Sequence, residues 1–532
     1  MPEPFQVAIV GGGISGLACA HRLRGLGVPA VVLESEGRGG GVIGTVERNG
    51  FLFEAGPQSF LGTAPVLELI RELKLEGELV QADPNAPRFV FVKGRLQAVP
   101  RSPTALLTSS LLSVRSRYRV LSEPLRRTAP VQHEETVADF VRRKFGNEIL
   151  EYLVAPFVSG VYAGDPETLS LRAAFPSLDE WEREYGSVLR GAINSRKKQG
   201  GARPGLCSFR GGMRALLQAL ESELGDGFVT GARAEALERG GSSGFTLRFM
   251  KDGRQESISV RAVVLAAPAY TAGHLLSGVS QTAGDALLGV SYAPVAVIAT
   301  GYKRQQVGNA LVGFGVLIPR KAGLHTLGTV WNSSLFAGRA PKNSVTLTSF
   351  AGGVTDAEIV SREESEIGAL VESELENLLS ISGPPVAREI WRYPRALPQY
   401  NLGHAHVLEN VRGALAGVPG IHLTGNYLSG PAIGNCVEQS ARTAEAVCAF
   451  LRGGGWFGGW GGSGELNWAS AEWRQMGHVF ARVTSAGAAS GRPYGKNATT
   501  WEIANFKFEI SDWGNGKDKC ECRSVTAKAG SG

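Results

Sequence analysis

What this sequence lacks narrows it first. Its six cysteines, Cys19, Cys207, Cys436, Cys448, Cys520 and Cys522, are too scattered for a disulfide framework or a metal-ligand spacing. A reduced, cytoplasmic setting is expected, with no metal. No run approaches the ~18 apolar residues of a membrane span. No basic stretch leads into an apolar run and cleavage site at the N-terminus, so no leader is expected. Peripheral contact with the cytoplasmic membrane stays open, as does a homodimer. Concentrated charge is missing too: 55 Lys and Arg against 49 Asp and Glu leave +6, interspersed along the chain, so no nucleic acid partner is expected.

Glycine is abundant, at 71 of 532 residues, and part of that excess should mark close backbone approach to a ligand. The length suggests roughly three structural units. Residues 6–10 read as a buried strand, 17–26 as a helix and 30–33 as a second buried strand, a βαβ unit. Further on, the patterning predicts a helix over 65–79, a hairpin of 89–92 and 96–99, and a helix-rich region over 103–200. Strands are predicted at 245–249, 258–265, 295–302, 316–318 and 345–350, one helix over 356–379, and a strand at 421–424 leading into a helix at 437–451. From Gly453 on, six of the nine tryptophans gather and no leucine follows Leu466. That stretch reads as a tail outside the main fold.

The pattern Gly11-x-Gly13-x-x-Gly16 follows the first strand and opens the helix. Gly11 permits the tight turn, Gly13 lets backbone approach a pyrophosphate, and Gly16 allows close helix–strand packing. Ile14 and Ser15 sit at the helix N-terminus, where free N–H groups meet phosphate. Glu34 ends the second strand, placed to bond a ribose hydroxyl. The bare pattern recurs at Gly39–Gly44 and Gly453–Gly458, but only the first copy has the strand–turn–helix context. Two further segments favour FAD over NAD. Ser35, Arg38, Gly40 and Gly41 follow the second strand and suit a loop lying over the pyrophosphate. Gly425-Asn426 and Gly434-Asn435-Cys436-Val437 repeat a strand, glycine loop and helix N-terminus, which can stabilise negative charge on a reduced flavin.

With these elements assembled, residues 5–452 resemble the flavin amine oxidase superfamily, and within it the oxygen-dependent protoporphyrinogen oxidases. The motifs are Gly50-Phe51 through Glu54-Ala55-Gly56-Pro57, Gly160-Val-Tyr-Ala-Gly164-Asp165-Pro166, Phe209-Arg210-Gly211-Gly212-Met213, Gly313-Phe314-Gly315-Val316-Leu317-Ile318-Pro319 and Pro398-Gln399-Tyr400. The resemblance implies an α/β fold: a Rossmann-like FAD-binding domain (1–93, 203–290 and 411–452), a mixed-sheet substrate domain (94–101, 194–202 and 291–410), and an inserted helical, membrane-associating domain (102–193), with 453–532 outside. It implies oxidation of protoporphyrinogen IX to protoporphyrin IX, with dioxygen as acceptor and hydrogen peroxide as by-product. In that scheme no side chain is catalytic. Flavin N5 accepts a hydride from a meso carbon, and the protein positions the substrate.

The same resemblance implies the site residues. Arg88 pairs with a ring propionate through its guanidinium fork; read from the residues alone, a solvated strand-edge arginine is as good. Phe314, Gly315, Leu317, Val330 and Phe350 flank the apolar macrocycle, although Leu317 and Val330 read equally well as plain sheet core. Gly160 turns its carbonyl toward the pyrrole N–H groups, or else caps its helix. Gly56, Pro57, Ala234, Ala267 and Trp391 complete the cofactor set. Where some relatives carry basic residues, this chain has Val42 and Gly44, so phosphate neutralisation falls to backbone N–H groups or Arg38. The alternatives are a coproporphyrinogen III oxidase of the same fold, a flavin amine oxidase, or a non-catalytic FAD-binding scaffold.

Overall fold

The structure, a computed structural model, describes residues 5–101, 103–126, 131, 133–198, 205–241, 244–453, 501–503 and 506–508. The chain divides into two compact units, Met1–Val483 and Thr484–Gly532.

The first unit is built on two main sheets. In the first, strands Phe228–Val229, Ala30–Leu33, Val7–Val10, Ala262–Leu265 and Ile421–Leu423 lie side by side in that order, all parallel. Val7–Val10 and Ala262–Leu265 are apolar and buried at every position, as a parallel sheet covered on both faces requires. Helices Ile14–Gly25, Arg214–Leu224 and Ile433–Leu451 cover one face. Helices Ala269–Leu276 and Gln281–Leu288 and an antiparallel three-stranded sheet from Ala232 to Val260 cover the other.

The second sheet has seven strands in the order Ala387–Pro398, Tyr292–Lys303, Ser344–Gly352, Thr326–Val330, Gly315–Leu317, Arg88–Val92 and Arg95–Ala98. All neighbours are antiparallel except Gly315–Leu317 with Arg88–Val92. Side chains alternate between faces. Val316, Leu347 and Ile298 point into a core closed by the helix Glu364–Leu379, which buries Ile367, Val371 and Leu375 there. The opposite face carries Leu317, Phe350, Val297 and Trp391. The expected boundary after residue 93 passes through a hairpin both of whose strands belong to this sheet.

Helices dominate 103–198. The run from Asn147 to Tyr162 winds wide over Leu150–Val154 just ahead of Pro156, which has no N–H to donate to the preceding turn. Among the described residues no helix is long and apolar enough to cross a membrane.

Three expectations need correction. The helix predicted over 65–79 spans Ala64–Glu72; Lys74 then takes a left-handed conformation, and Leu79–Gln81 becomes a strand paired with Leu206–Phe209. The strand predicted over 258–265 is two strands broken at Arg261, where the chain leaves the antiparallel sheet and enters the parallel one. The helix predicted over 356–379 starts only at Glu364, because Arg362 and Glu363 are extended after a short turn, Ala357–Ser361. In the second unit Trp501–Ile503 pairs antiparallel with Phe506–Phe508. The rest of the predicted tail beyond Gly453 lies outside the described residues.

Candidate active site

The glycine loop explains its own composition. A Cβ on Gly16 would stand 1.9 Å from the Gly11 carbonyl oxygen, so helix and turn can pack only through glycine. Gly11 adopts φ +105° and abuts the Ala266–Ala267 backbone. A Cβ on Gly13 would meet nothing within 4 Å, which leaves a cradle at the N-terminus of the helix. Ile14 and Ser15 begin that helix and are buried. Glu34 is buried behind the loop: its Oε2 accepts the Gly12 N–H at 2.7 Å, and its Oε1 accepts from Glu36 N at 2.8 Å and Ser35 Oγ at 3.1 Å. A carboxylate offers roughly four acceptor positions, so room remains for a ribose hydroxyl. The Ala232 N–H donates to the Glu34 carbonyl at 2.7 Å, which sets the strand carrying Ala234 beside it.

The second glycine copy opens no helix. Gly40 and Gly41 take positive φ, and the Gly40 N–H donates to the Gly12 carbonyl at 2.7 Å, laying this loop on the first. Arg38 folds back to donate to the Gly39 and Ile43 carbonyls, each at 3.0 Å, and its Nη2 lies 3.2 Å from where a Cβ on Gly44 would be. A cation thus stands next to Gly44 although position 44 cannot supply one. Gly56, ahead of Pro57, is packed so tightly that a Cβ would lie 2.3 Å from the Val42 oxygen.

A second helix packs against the N-terminus of the first. Ser440, two turns into the helix Ile433–Leu451, donates to the Ser15 carbonyl at 2.8 Å. Before it, Gly425 has φ +147°, and Asn426 opens a short turn of helix. The Asn435 amide closes the Gly430 turn by donating to Ser429 O at 2.7 Å. Cys436 and Val437 are buried in the packing beneath. Thr63 Oγ1 is buried without a hydrogen-bond partner and sits 3.0 Å from a Cβ placed on Gly434. An open cradle at a helix N-terminus, an inward carboxylate and, by the start of the second helix, an orphaned hydroxyl fit a dinucleotide with a flavin at the far end.

The residues expected at the substrate come together through sheet register. Arg88 pairs with Gly315, and Gly315 with Val330. In the next row of the same face, Leu317 pairs with Gly328, Gly328 with Phe350, Phe350 with Val297, and Val297 with Trp391. Phe350 and Trp391 pack in one cluster around Val297. Phe314 lies under the Arg88 guanidinium, 5.0 Å from ring centroid to Cζ. Burial, and then the neighbouring Arg101 charge, push Arg88 down to about 10. Gly160 lies against Leu317: a Cβ there would be 2.5 Å from Leu317 Cδ2. Gly160 does not cap its helix; Ala163 does, in the left-handed conformation.

Sequence reasoning missed several residues. Gly328 pairs with both Leu317 and Phe350 and has no room for a side chain, and only register reveals it. Glu54 stood within a quoted motif but without a role. It is buried with Arg339, each 1% exposed, at 3.3 Å, and it also accepts from Met213 N at 2.9 Å and Thr45 Oγ1 at 2.6 Å. Burial outweighs the pull of Arg339 and raises its carboxyl to about 6. Arg101 next to Arg88 carried no signal of its own.

Residues 14–448 match the model of the flavin containing amine oxidoreductase family. Over 471 residues, 84% of this chain and 86% of the relative, the chain is 36% identical to the chloroplastic protoporphyrinogen oxidase of Nicotiana tabacum. It is 27% identical to the coproporphyrinogen III oxidase of Bacillus subtilis, covering 84% of this chain and 98% of that one. A crystal structure from Exiguobacterium sp. 255-15 superposes with a TM-score of 0.72 at 23% identity, over 84% of this chain and 99% of the other, and shares the fold. The chain belongs to the flavin containing amine oxidoreductase family.

Proposed function

We propose that this chain oxidises protoporphyrinogen IX to protoporphyrin IX, using FAD and dioxygen and releasing hydrogen peroxide. The observation that carries the reading is the sheet face itself: Arg88, Gly315 and Val330 in one row, Leu317 and Phe350 in the next, and Gly160 over Leu317. The relative named above for this reaction supports it. The FAD-binding part comprises 1–93, 203–290 and 411–452, the substrate part 94–101, 194–202 and 291–410, and the helical part 102–193, with the strand Arg88–Val92 at the end of the first segment lending itself to the substrate sheet.

When bound, FAD supplies a two-electron acceptor that dioxygen re-oxidises. The chain's own residues bind, orient and shield. The N–H groups at Gly13–Gly16 and Arg38 hold the pyrophosphate, and Glu34 holds the ribose. The Ile433–Leu451 helix end steadies negative charge near the flavin. Arg88 takes a propionate, while Leu317, Val330, Phe314 and Phe350 hold the apolar macrocycle with one meso carbon toward the flavin. The Gly160 carbonyl accepts from pyrrole N–H. Positioning of this kind converts an encounter into an oriented, near-unimolecular step.

The helical part offers an apolar, basic surface. Val114, Tyr118 and Leu125 are 77%, 72% and 81% exposed, beside Arg115 and Arg119. We assign it to peripheral contact with an anionic membrane on the cytoplasmic side.

One observation favours a second reading. Arg101 beside Arg88 adds a cation where the four propionates of coproporphyrinogen III would welcome it. The deciding experiment is turnover of both porphyrinogens by the yellow holoenzyme, followed by porphyrin fluorescence, with and without Arg88→Ala. Protoporphyrinogen is expected to win, and truncating Arg88 to lower kcat/KM roughly 30-fold or more. Preference for the four-propionate substrate, or a flavin that never turns over, would sink the proposal.

A further inference from the structure

A chain of buried polar side chains leaves the substrate row, and neither the resemblance nor the alternation of the sheet assigns it. Thr348 pairs with Val330 in the row that also holds Gly315 and Arg88. Its hydroxyl donates to Asn332 Oδ1 at 2.9 Å. The Asn332 amide donates to Gln58 Oε1 at 2.6 Å. Gln58 Nε2 in turn donates to the Gly56 carbonyl at 2.6 Å and lies 3.4 Å from the Glu54 carbonyl. All three side chains are buried.

We propose that Asn332, oriented by Thr348, is a positioning residue: through Gln58 it holds segment 54–58 at a fixed distance from the substrate row, and so sets the depth at which the macrocycle meets the flavin. This rests on the reading that the row holds the macrocycle and that 54–58 lies by the cofactor.

The chain runs in one direction only. A backbone carbonyl can only accept. Gly56 therefore takes the Nε2 end of Gln58, which leaves Oε1 for Asn332. Oε1 takes the Nδ2 end of Asn332, which leaves Oδ1, so the Thr348 hydroxyl must donate. Every proton points from the sheet toward 54–58. Flipping either amide alone would set two acceptors or two donors face to face, and a buried group left unmatched costs about 1–3 kcal/mol. Bonds in such a buried series also polarise one another. The position is then handed on by contact: a Cβ on Gly56 would stand 2.3 Å from the Val42 oxygen, and the Gly40 N–H of that same loop donates to the Gly12 carbonyl at 2.7 Å. Printed on one line, the contacts join the substrate row to the nucleotide loop. Apolar side chains could fill the same space, but they would fix neither the length nor the direction of this link.

The test uses holoenzyme of wild type, Thr348→Val, Thr348→Ser and Asn332→Leu, with rates normalised to flavin content. Anaerobic stopped-flow bleaching of the flavin by protoporphyrinogen IX gives a limiting rate and an apparent Kd. Iodide quenching of flavin fluorescence, which needs no substrate, reports how tightly 54–58 sits. A displacement of about 1 Å can cost about 100-fold, so Asn332→Leu is expected to slow the limiting rate about 30-fold, Thr348→Val about tenfold and Thr348→Ser less than about threefold, with Kd within about threefold throughout. Iodide quenching should rise in Asn332→Leu and Thr348→Val and stay at the wild-type level in Thr348→Ser. Unchanged limiting rates overturn the proposal. So does a raised Kd with an unchanged rate, which would make the chain part of the substrate floor, or a serine variant as slow as the valine one, which would make the methyl rather than the hydroxyl the cause. Slowed reduction with unchanged quenching overturns it as well. A wild-type flavin that no porphyrinogen reduces defeats the proposed function; the quenching series then decides this inference by itself, supporting it if valine and leucine open the flavin to iodide and serine does not, and overturning it otherwise.

Discussion

Glu54→Gln removes a charge while keeping the shape of the side chain, and the structure says what that leaves behind. Arg339 would keep its bonds to Ser208 Oγ at 2.6 Å and Phe209 O at 3.1 Å but lose its counter-ion while only 1% exposed. A guanidinium cannot shed its proton, and breaking a buried pair from one side destabilises by about 3–5 kcal/mol. Arg339→Met strands the other partner, which has an escape. Burial already raises Glu54 from 4.5 to about 6, and removing Arg339 raises it further, by roughly 1–3 units. The folded carboxyl then holds its proton at a higher pH than the unfolded one. Stability therefore rises as pH falls through the folded value and levels off below the unfolded one. At about 1.4 kcal/mol per unit, the Arg339→Met deficit relative to wild type shrinks by about 2 kcal/mol between pH ~8 and pH ~5.5. The Glu54→Gln deficit does not. Urea midpoints of both variants across that range, read by tryptophan fluorescence, test this. Deficits that move in parallel with pH, or a Glu54→Gln protein as stable as wild type, would refute the reasoning.

Gly13→Ala and Gly16→Ala should fail differently. The open cradle at Gly13 accepts a methyl in the apoprotein but loses flavin, whereas Gly16→Ala forces its turn apart and lowers the melting temperature of the apoprotein itself; flavin absorbance per protein and apoprotein melts distinguish them. Gly328→Ala places a Cβ 2.7 Å from the Val316 oxygen and 3.2 Å from Leu317 Cδ2. Overpacking of about 1–3 kcal/mol should raise KM for the porphyrinogen about tenfold or more with flavin content unchanged. His422 is buried, its Nε2 has no partner, and burial lowers its pKa from 6.5 to about 4. The unfolded chain takes up that proton first, so this group's contribution is full above pH 6.5 and falls by about 3 kcal/mol as pH drops to 4; His422→Phe should flatten the acid side of a pH–stability curve.

The nucleotide loop was legible because its neighbours in sequence are its neighbours in space. Gly11, Gly13, Gly16 and Glu34 fall within one βαβ unit, so strand, turn and helix signals coincide. The substrate face was only half legible. Period-two alternation sorts Val316 from Leu317 but cannot say which face meets a helix and which meets a ligand. That is decided by Glu364–Leu379 packing on one side. Leu317 and Val330 therefore read as well for core as for pocket; register adds that Leu317 shares a row with Phe350 and Val330 lies in the next. Gly328 gave no signal, since a glycine in a strand has many uses. The overrun of the helix past Glu72 has a similar cause: Leu75 and Leu79 continue the period, but strand pairing with Phe209 wins over local propensity.

The two sheets are built from interleaved chain segments, yet hydride transfer tolerates little slack: reacting atoms must approach within about 3–3.5 Å. The parallel sheet alone cannot set that distance, because none of the residues proposed to hold the substrate lies on its strands. Three ties that can help set it converge on five residues. From the seven-stranded sheet and its loops, Arg339 pairs with Glu54 at 3.3 Å, Tyr393 donates its hydroxyl to the Ala55 carbonyl at 3.0 Å, and the Asn332 amide donates to Gln58 Oε1 at 2.6 Å. Gly56 between them is pressed against Val42 of the second glycine loop. The segment 54–58 is thus the point at which the substrate sheet holds the loop that lies over the cofactor. A buried ion pair is a poor way to gain stability, since apolar replacement is often neutral or better. Here it fixes a position, and its orientation-specific bonds serve where an apolar contact could slide.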